Sequence, residues 1–361
     1  MATRLLHQKD INGSAEEVDP GQLDEVLESS VWVWLDITDH TPDHLETLAE
    51  TFEFDNMVLE DVNDIELLPK FEDHGDHLYC VFHSLTTVDE NIDTAEVDCI
   101  LKGNLLVTLH DLPLSGVDSL WELTERHPRA VGCTDAAVLL ARLGEIIGRR
   151  FLEVLVALDR RIVELNELAL RADPAVLVDV QQLRRDESTI RMMLAPQRQL
   201  MASLELDDSP LLSDRARQRF GSAYDVHNQV VETLEIARAL LNDTLDTYHG
   251  ATAEKLNEVT RVLTVYAAIM LPLSIIVGFF GMNFSNLPWT ESSYGIWLVT
   301  GAMAVFAIGS WIFFSRRDFV GGPDLGSASR RVGKSLAAVA RAPAKPATLL
   351  RRSRNDKELD L

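Results

Sequence analysis

The sequence predicts an α/β cytoplasmic domain followed by a long stalk helix and two C-terminal transmembrane helices. Three observations lead there. Residues 262–284 and 294–314 are apolar runs without one charged side chain. Upstream, between about residues 31 and 111, short segments alternate apolar and polar residues and are rich in branched and aromatic side chains, the period of a strand. From about residue 134 the apolar spacing changes to three and four, the period of a helix.

Taken in order, the start MATRLLHQKDINGSAEEVD carries no long apolar run, so no signal peptide is expected. VWVWLDI (31–37) reads as a strand and PDHLETLAETFE (42–53) as a helix, with Thr41 as its cap and Pro42 in its first position. HLYCVFHSL (77–85), AEVDCILKG (95–103) and NLLVTLHD (104–111) read as further strands, the last two joined by a turn at Gly103–Asn104. Residues 1–133 thus form an α/β domain. They contain no GxGxxG, GxxxxGK[ST] or GxSxG pattern, which removes the usual phosphate loops and the hydrolase elbow.

Residues 134–208 read as a helical hairpin, from one helix over 141–170 and a second over 176–207 that bends near Pro196. A third helical run, from about Ala216 to Met282, contains only Gly221, Gly250, Pro272, Gly278 and Gly281 as interruptions. If continuous, its roughly 65 residues span on the order of 95–100 Å. The part over 209–261 is then a stalk leading straight into the first apolar run; a coiled-coil stalk without a transport role has the same pattern. Cys80, Cys99 and Cys133 form no close pair, and the 10 histidines are scattered without an HExxH pattern, so neither a disulfide framework nor a thiolate or histidine metal site is expected. The histidines read as surface or core residues.

Each apolar run is long enough to cross a hydrocarbon core about 30 Å thick. The joining loop, SNLPWTESS (285–293), contains Glu291 and no basic residue, whereas Arg261 precedes the first run and Arg316 and Arg317 follow the second. Positive charge on both outer flanks places both termini in the cytoplasm, with Trp289, Trp297 and Trp311 as interface anchors. Residues 1–315 carry 22 Lys+Arg against 52 Asp+Glu, whereas residues 316–361 carry 11 against 5. The acidic bulk excludes a nucleic-acid backbone as partner and draws cations to the surface, or simply confers solubility. The basic segment 315–361 reads as a flexible tail, with RRVGKSLAAVARAP able to form a short helix on anionic lipid. One helical hairpin cannot enclose a polar pathway, but several copies around an axis can.

The run NEVTRVLTVYAAIMLPLSIIVGFFGMNF, with Gly281–Met282–Asn283 at the end of the first span, strongly resembles the membrane segment of the CorA-type magnesium and cobalt channel family. LEDVNDIELLPKFEDHGDHLYCVF (59–82) and ILKGNLLVTLHD (100–111) resemble that family's amino-terminal domain, and the resemblance covers residues 25–317. It implies a homopentameric, funnel-like assembly in the plasma membrane that carries Mg²⁺, with Co²⁺ as a second cargo. No prosthetic group is implied; Mg²⁺ is cargo and regulatory ion, and the chain is not an enzyme. Gly281, Met282 and Asn283 would form the selectivity mouth. Asn283 supplies a neutral carbonyl oxygen that meets hydrated Mg²⁺, an ion that gives up water reluctantly. The resemblance further places Asn257, Thr260, Leu263, Thr264, Ala267, Leu271, Ser274 and Gly278 along the pore path, with Leu263 and Leu271 as apolar collars or as helix packing. Asp225 and Asp246 are candidate cytoplasmic cation sites.

The chain departs from the family pattern at four places. Thr260 stands where a bulky apolar gate residue is usual, and Phe280 replaces the commoner tyrosine. LPWT (287–290) replaces the external loop MPEL, and Ser222 replaces an aspartate of a divalent-ion site between subunits. These leave two alternatives to an Mg²⁺ channel: a zinc or other divalent-cation transporter of the same superfamily, including a proton-coupled one, and a non-transporting membrane-anchored sensor or scaffold.

Overall fold

The computed structural model describes residues 2–11, 13–52, 62, 68–88, 91–282 and 294–317. They fall into two compact units, Met1–Thr252 and Ala253–Leu361.

The first unit is built on a seven-stranded sheet of order β2-β1-β3-β7-β6-β5-β4. Its strands are β1 (Ala2–Gln8), β2 (Glu16–Val18), β3 (Trp32–Thr38), β4 (Lys70–Asp73), β5 (Leu78–Val88), β6 (Asn91–Lys102) and β7 (Leu105–His110). Only β3 and β7 run parallel to each other; the other neighbours are antiparallel. Gly103 makes the tight β6–β7 turn at φ 60, a left-handed conformation that costs a residue without Cβ little. Strand β3 is buried along nearly its whole length because both faces of the sheet are covered. On one face Val33, Leu35 and Ile37 join Val107 and Leu109 beneath α1 (Leu23–Ser29) and α2 (Pro42–Phe52), which contribute Val26 and Leu45. On the other, Trp32 and Trp34 join Leu106, Cys80 and Cys99 beneath α3 (Ser115–Arg126) and two longer helices.

Those longer helices are α4 (Ala136–Leu170) and α5 (Ala175–Leu206). Helix α4 begins five residues before the start expected from apolar spacing, because Asp135 caps it by accepting from the Val138 N–H at 2.9 Å. The second Asp135 oxygen accepts from Ser213 Oγ at 2.9 Å. Helix α5 contains Pro196 without ending there. Helix α6 (Asp214–Phe280) is a single helix of 67 residues that passes through Gly221, Gly250, Pro272 and Gly278. Sequence reading counted these residues as interruptions. Gly221 packs instead: a Cβ there would lie 2.7 Å from Glu205 Oε1. Gly148 on α4 has the same role, since a Cβ would come within 2.8 Å of the His227 ring on α6.

That histidine joins three elements. Gln197 on α5 accepts from the His83 backbone N–H of β5 at 2.8 Å and donates to His227 Nε2 at 3.1 Å. His227 Nδ1–H in turn donates to the Ala223 carbonyl at 2.8 Å. Burial depresses the His227 pKa to about 4, so the ring is neutral and both nitrogens are satisfied. Sheet, hairpin and stalk therefore share one hydrophobic core, which continues along α6 through Phe220, Val230, Leu234 and Leu241.

A buried polar cluster lies on the α3 side of the sheet. Asp36 is fully buried and accepts from Arg4 Nε at 2.8 Å, from His110 Nε2 at 3.2 Å and from Thr108 Oγ1. Arg4 also reaches Asp118 at 2.8 Å and lies over the Trp121 ring at 4.5 Å. Burial pushes the Asp36 carboxyl up, but the His110, Thr108 and Arg4 interactions outweigh it and hold the carboxyl below its ordinary value of 3.8. Burial likewise opposes the His110 charge, yet Asp36 raises that imidazole above 6.5.

Asp36→Asn leaves the buried His110 without its carboxylate and the half-buried Arg4 with Asp118 alone, so a loss on the order of 3 kcal/mol is expected in urea unfolding. The raised His110 contributes fully below pH 6.5, and its contribution is lost as pH rises through its folded value. The lowered Asp36 contributes above pH 3.8, and its contribution is lost in stronger acid. The gap between wild type and variant should therefore be widest between these two pH values.

Candidate functional site

The second unit contains the end of α6 and a further helix, α7 (Gly295–Arg316). Both are long and apolar enough to cross a membrane, with 6% and 0% of their most apolar stretches buried within the single chain. Apolar surface exposed on this scale requires lipid or further copies around it.

At about 100° per residue, Asn257, Thr260, Leu263, Thr264, Ala267, Leu271, Ser274, Gly278 and Gly281 fall within about a third of the α6 circumference. All of them are exposed, Leu263 and Leu271 by 64% and 62%. The opposite side is different. Val265, Ile269, Pro272, Leu273, Ile276 and Phe280 are the residues of this stretch that are buried or partly buried. On α7, partial burial recurs at Val299, Met303, Ala307, Ser310 and Phe314, spaced by three and four, so one stripe of this helix packs as well. Between the two helices lies a cleft lined by Ala268, Phe306, Gly309, Ser310, Phe313 and Phe314. Pro272 has no N–H to offer the Ala268 carbonyl, and Ser310 brings a hydroxyl to the same cleft. The candidate pathway residues thus share the face of α6 turned away from the intrachain packing.

Two threonines on that face make local bonds. Thr260 Oγ1 donates to the Leu256 carbonyl at 2.8 Å, and Thr264 Oγ1 to the Thr260 carbonyl at 2.7 Å. Each hydroxyl then still has lone pairs to present outward. The helix ends where the glycine motif starts: Gly281 N–H still reaches the Val277 carbonyl at 2.9 Å, while Met282 N–H turns to Phe279 at 3.4 Å. Asn283, the loop 285–293 with Glu291, and the tail from residue 318 lie outside the described residues.

Asp225 and Asp246 are both exposed on the part of α6 in the first unit. Ser222, one turn from Asp225, donates to the Gln218 carbonyl at 3.2 Å. It lines a surface cleft with Asp214, Arg215, Gln218 and Arg219. Among the described residues no group of three or more His, Cys, Asp or Glu is arranged to hold a metal ion. Burial raises the thiol pKa of Cys80 and Cys99 and pushes that of Cys133 up to about 12, so these are inert core residues.

Residues 29–317 match the family model described as CorA-like Mg2+ transporter protein. The chain belongs to that family. Membership carries divalent-cation transport as the general function, by a protein that is not an enzyme. This CorA-like chain is 28% identical over 298 residues to the cobalt/magnesium transport protein CorA of Thermotoga maritima, covering 81% of this chain and 85% of that one. It is 26% identical to the protein of the same name from Methanocaldococcus jannaschii, covering 82% and 94%. The complete structure of the CorA magnesium transporter from Methanocaldococcus jannaschii has the same fold, with a TM-score of 0.77 at 22% identity over 89% of this chain and 99% of that one.

Sequence reading found the α6 stripe through family resemblance, and its spacing alone shows only a helix face. It missed the Asp36 cluster, whose members at positions 4, 36, 108, 110 and 118 are contributed by four separate elements.

A Cβ at Gly278 would meet nothing within 4 Å, whereas one at Gly148 meets the His227 ring. Gly278→Ala should leave the melting temperature of detergent-solubilised protein unchanged or raise it by about 2 °C, while Gly148→Ala lowers it. The reverse order in a thermal melt would place a packing partner on the Gly278 face.

Proposed function

We propose that this chain is one subunit of a homopentameric channel in the plasma membrane that carries Mg²⁺, and secondarily Co²⁺, into the cytoplasm down its electrochemical gradient. The observation that carries the reading is the unpartnered α6 face, which continues through an uncharged span to Gly281 and Met282. One chain leaves it exposed; five copies would turn it inward. The named activities of the Thermotoga and Methanocaldococcus relatives support the choice of cargo. Arg261 before the first span and Arg316 and Arg317 after the second support cytoplasmic termini.

In this arrangement Leu263 and Leu271 form apolar collars that exclude water when closed. Asn257, Thr260, Thr264 and Ser274 offer neutral oxygens between and around the collars. Gly281, Met282 and Asn283 form the outer mouth, where the Asn283 amide oxygens meet the water shell of Mg²⁺ and select by size without stripping it. Asp225 and Asp246 add negative charge to the cytoplasmic approach. Regulation by cytoplasmic Mg²⁺ is weak in this chain. Ser222 supplies a neutral hydroxyl already bonded to its own helix, in a cleft shared with Arg215 and Arg219, and such a surface is a poor hard-cation site.

Sealed proteoliposomes holding a Mg²⁺-sensitive dye test the reading under an inward Mg²⁺ gradient and a negative-inside potential. Rapid uptake is expected for the wild type, with a loss of at least tenfold for Asn283→Ala at equal insertion and assembly. Equal, barely leaking signals from both would refute a Mg²⁺ channel, and repeating the assay with a zinc gradient would separate altered selectivity from an inert assembly. Ser222→Asp should make uptake more sensitive to block by Mg²⁺ on the cytoplasmic side; an unchanged block curve would count against the regulatory account.

A further inference from the structure

The space between α6 and α7 is not filled along its whole length. The cleft there has a volume of about 490 Å³, bounded by Ala268 on α6 and by Phe306, Gly309, Ser310, Phe313 and Phe314 on α7. Ser310 and Phe314 belong to the stripe of α7 that packs within the chain, whereas Phe306, Gly309 and Phe313 lie on its exposed flank. The cleft therefore opens sideways from the helix pair. Small residues leave the room: Ala268 ends at its Cβ, and a Cβ added at Gly309 would meet nothing within 4 Å. Among the described lining residues Ser310 alone has a polar side chain. Water does not suit such a space, because one hydroxyl cannot supply the two to four partners a buried water needs. An empty cleft would forfeit dispersion contacts along its lining. Between two helices that cross a membrane, a slender unbranched methylene chain is the filling that the surroundings offer.

One end of the cleft is basic. Arg316 and Arg317 follow within three residues of Phe314, and both are exposed. The Arg317 guanidinium lies 5.2 Å from the centroid of the Phe313 ring, so a residue that lines the cleft also holds a cation at its mouth. Neither guanidinium is paired with a carboxylate among the described residues. From Phe306 to Phe314 the helix rises about 12 Å, which fits within one leaflet of a hydrocarbon core about 30 Å thick. Apolar recess and paired arginines thus stand in the order in which a phospholipid presents its acyl chain and its phosphate. Guanidinium groups bind phosphate oxygens through charge-assisted hydrogen bonds. A zwitterionic headgroup would bring its own cation against the two arginines, whereas an anionic one does not. A side chain from a second copy could fill the apolar part, but it would leave both arginines without an anion.

We propose that the cleft between α6 and α7 is a site for one anionic phospholipid, whose acyl chain lies along Phe306, Gly309 and Phe313 and whose phosphate is held by Arg316 and Arg317. None of its lining residues belongs to the pathway stripe of α6. The site requires that the two helices cross a membrane and is independent of which ion the pathway carries. Native mass spectrometry of the full-length protein in detergent, titrated in turn with phosphatidylglycerol and phosphatidylcholine, tests it. One phosphatidylglycerol retained per chain is expected, with an affinity at least tenfold above that for phosphatidylcholine. Gly309→Leu fills the open space and should weaken retention at least tenfold. Arg317→Gln, at an exposed position, should remove the preference for phosphatidylglycerol, and it reports even if Gly309→Leu disturbs folding. Gly301→Leu makes the same change elsewhere on α7, where an added Cβ also meets nothing within 4 Å, and should leave retention unchanged. Equal retention of the two lipids by the wild type would overturn the proposal, as would equal retention by Gly309→Leu and Gly301→Leu. A change of assembly mass in Gly309→Leu without loss of lipid would overturn it in favour of a second copy in the cleft.

Discussion

A backbone amide inside a membrane has no water to bond, so a chain that enters the hydrocarbon must already satisfy its own N–H and C=O groups. Helix α6 meets that requirement before it reaches the lipid. It starts at Asp214 in the first unit and remains one helix to Phe280, so no frayed end has to be stabilised at the interface. The exception is Pro272, which leaves the Ala268 carbonyl without its helical donor at a place that Ser310 shares. The glycine motif starts where this ladder stops, at Gly281 and Met282, so backbone polar groups first become available at the end of the span.

One helix crossing between two solvents has to be held firmly at the end that lies in water. The first unit does so by making α6 part of its core, with Ala216, Phe220, Ala223, Val230 and Leu234 buried among α4 and α5. The polar contribution comes from the chain of bonds from His83 through Gln197 to His227, which gives the packing a fixed register. An apolar face alone tolerates sliding by a turn, whereas a buried neutral imidazole with both nitrogens bonded does not. Gly148 allows the close approach by leaving room for the ring.

Polar groups within the sheet are handled in the same way. Trp34 Nε1 donates to Thr108 Oγ1 at 2.9 Å, Thr108 donates to Asp36, and Asp36 balances Arg4 and His110. Pairing makes the buried carboxylate tolerable, and it joins β1, β3 and β7 across the middle of the sheet.

Strands β3, β5, β6 and β7 were legible because alternation of branched and aromatic residues is a local property of each segment. Helices α4, α5 and the first part of α6 were legible because an apolar spacing of three and four repeats over many turns, and α7 because its run carries no charge. Strands β1, β2 and β4 and helices α1 and α3 were not, since a strand such as Lys70–Asp73 carries mixed polar residues and exists only through pairing with β5. Glycine and proline misled for the same reason: Gly221 and Pro272 are breakers locally, but tertiary packing and apolar surroundings keep α6 helical through them. By itself the sequence determined the two uncharged spans, the acidic bulk that precedes them, the basic flanks and the glycine motif, because hydropathy and charge add up residue by residue. Only the tertiary structure decided which face of α6 is left without an intrachain partner, how His227 anchors the stalk, and that residues 4, 36, 108 and 110 form one charged cluster, because those relations join residues far apart in the chain.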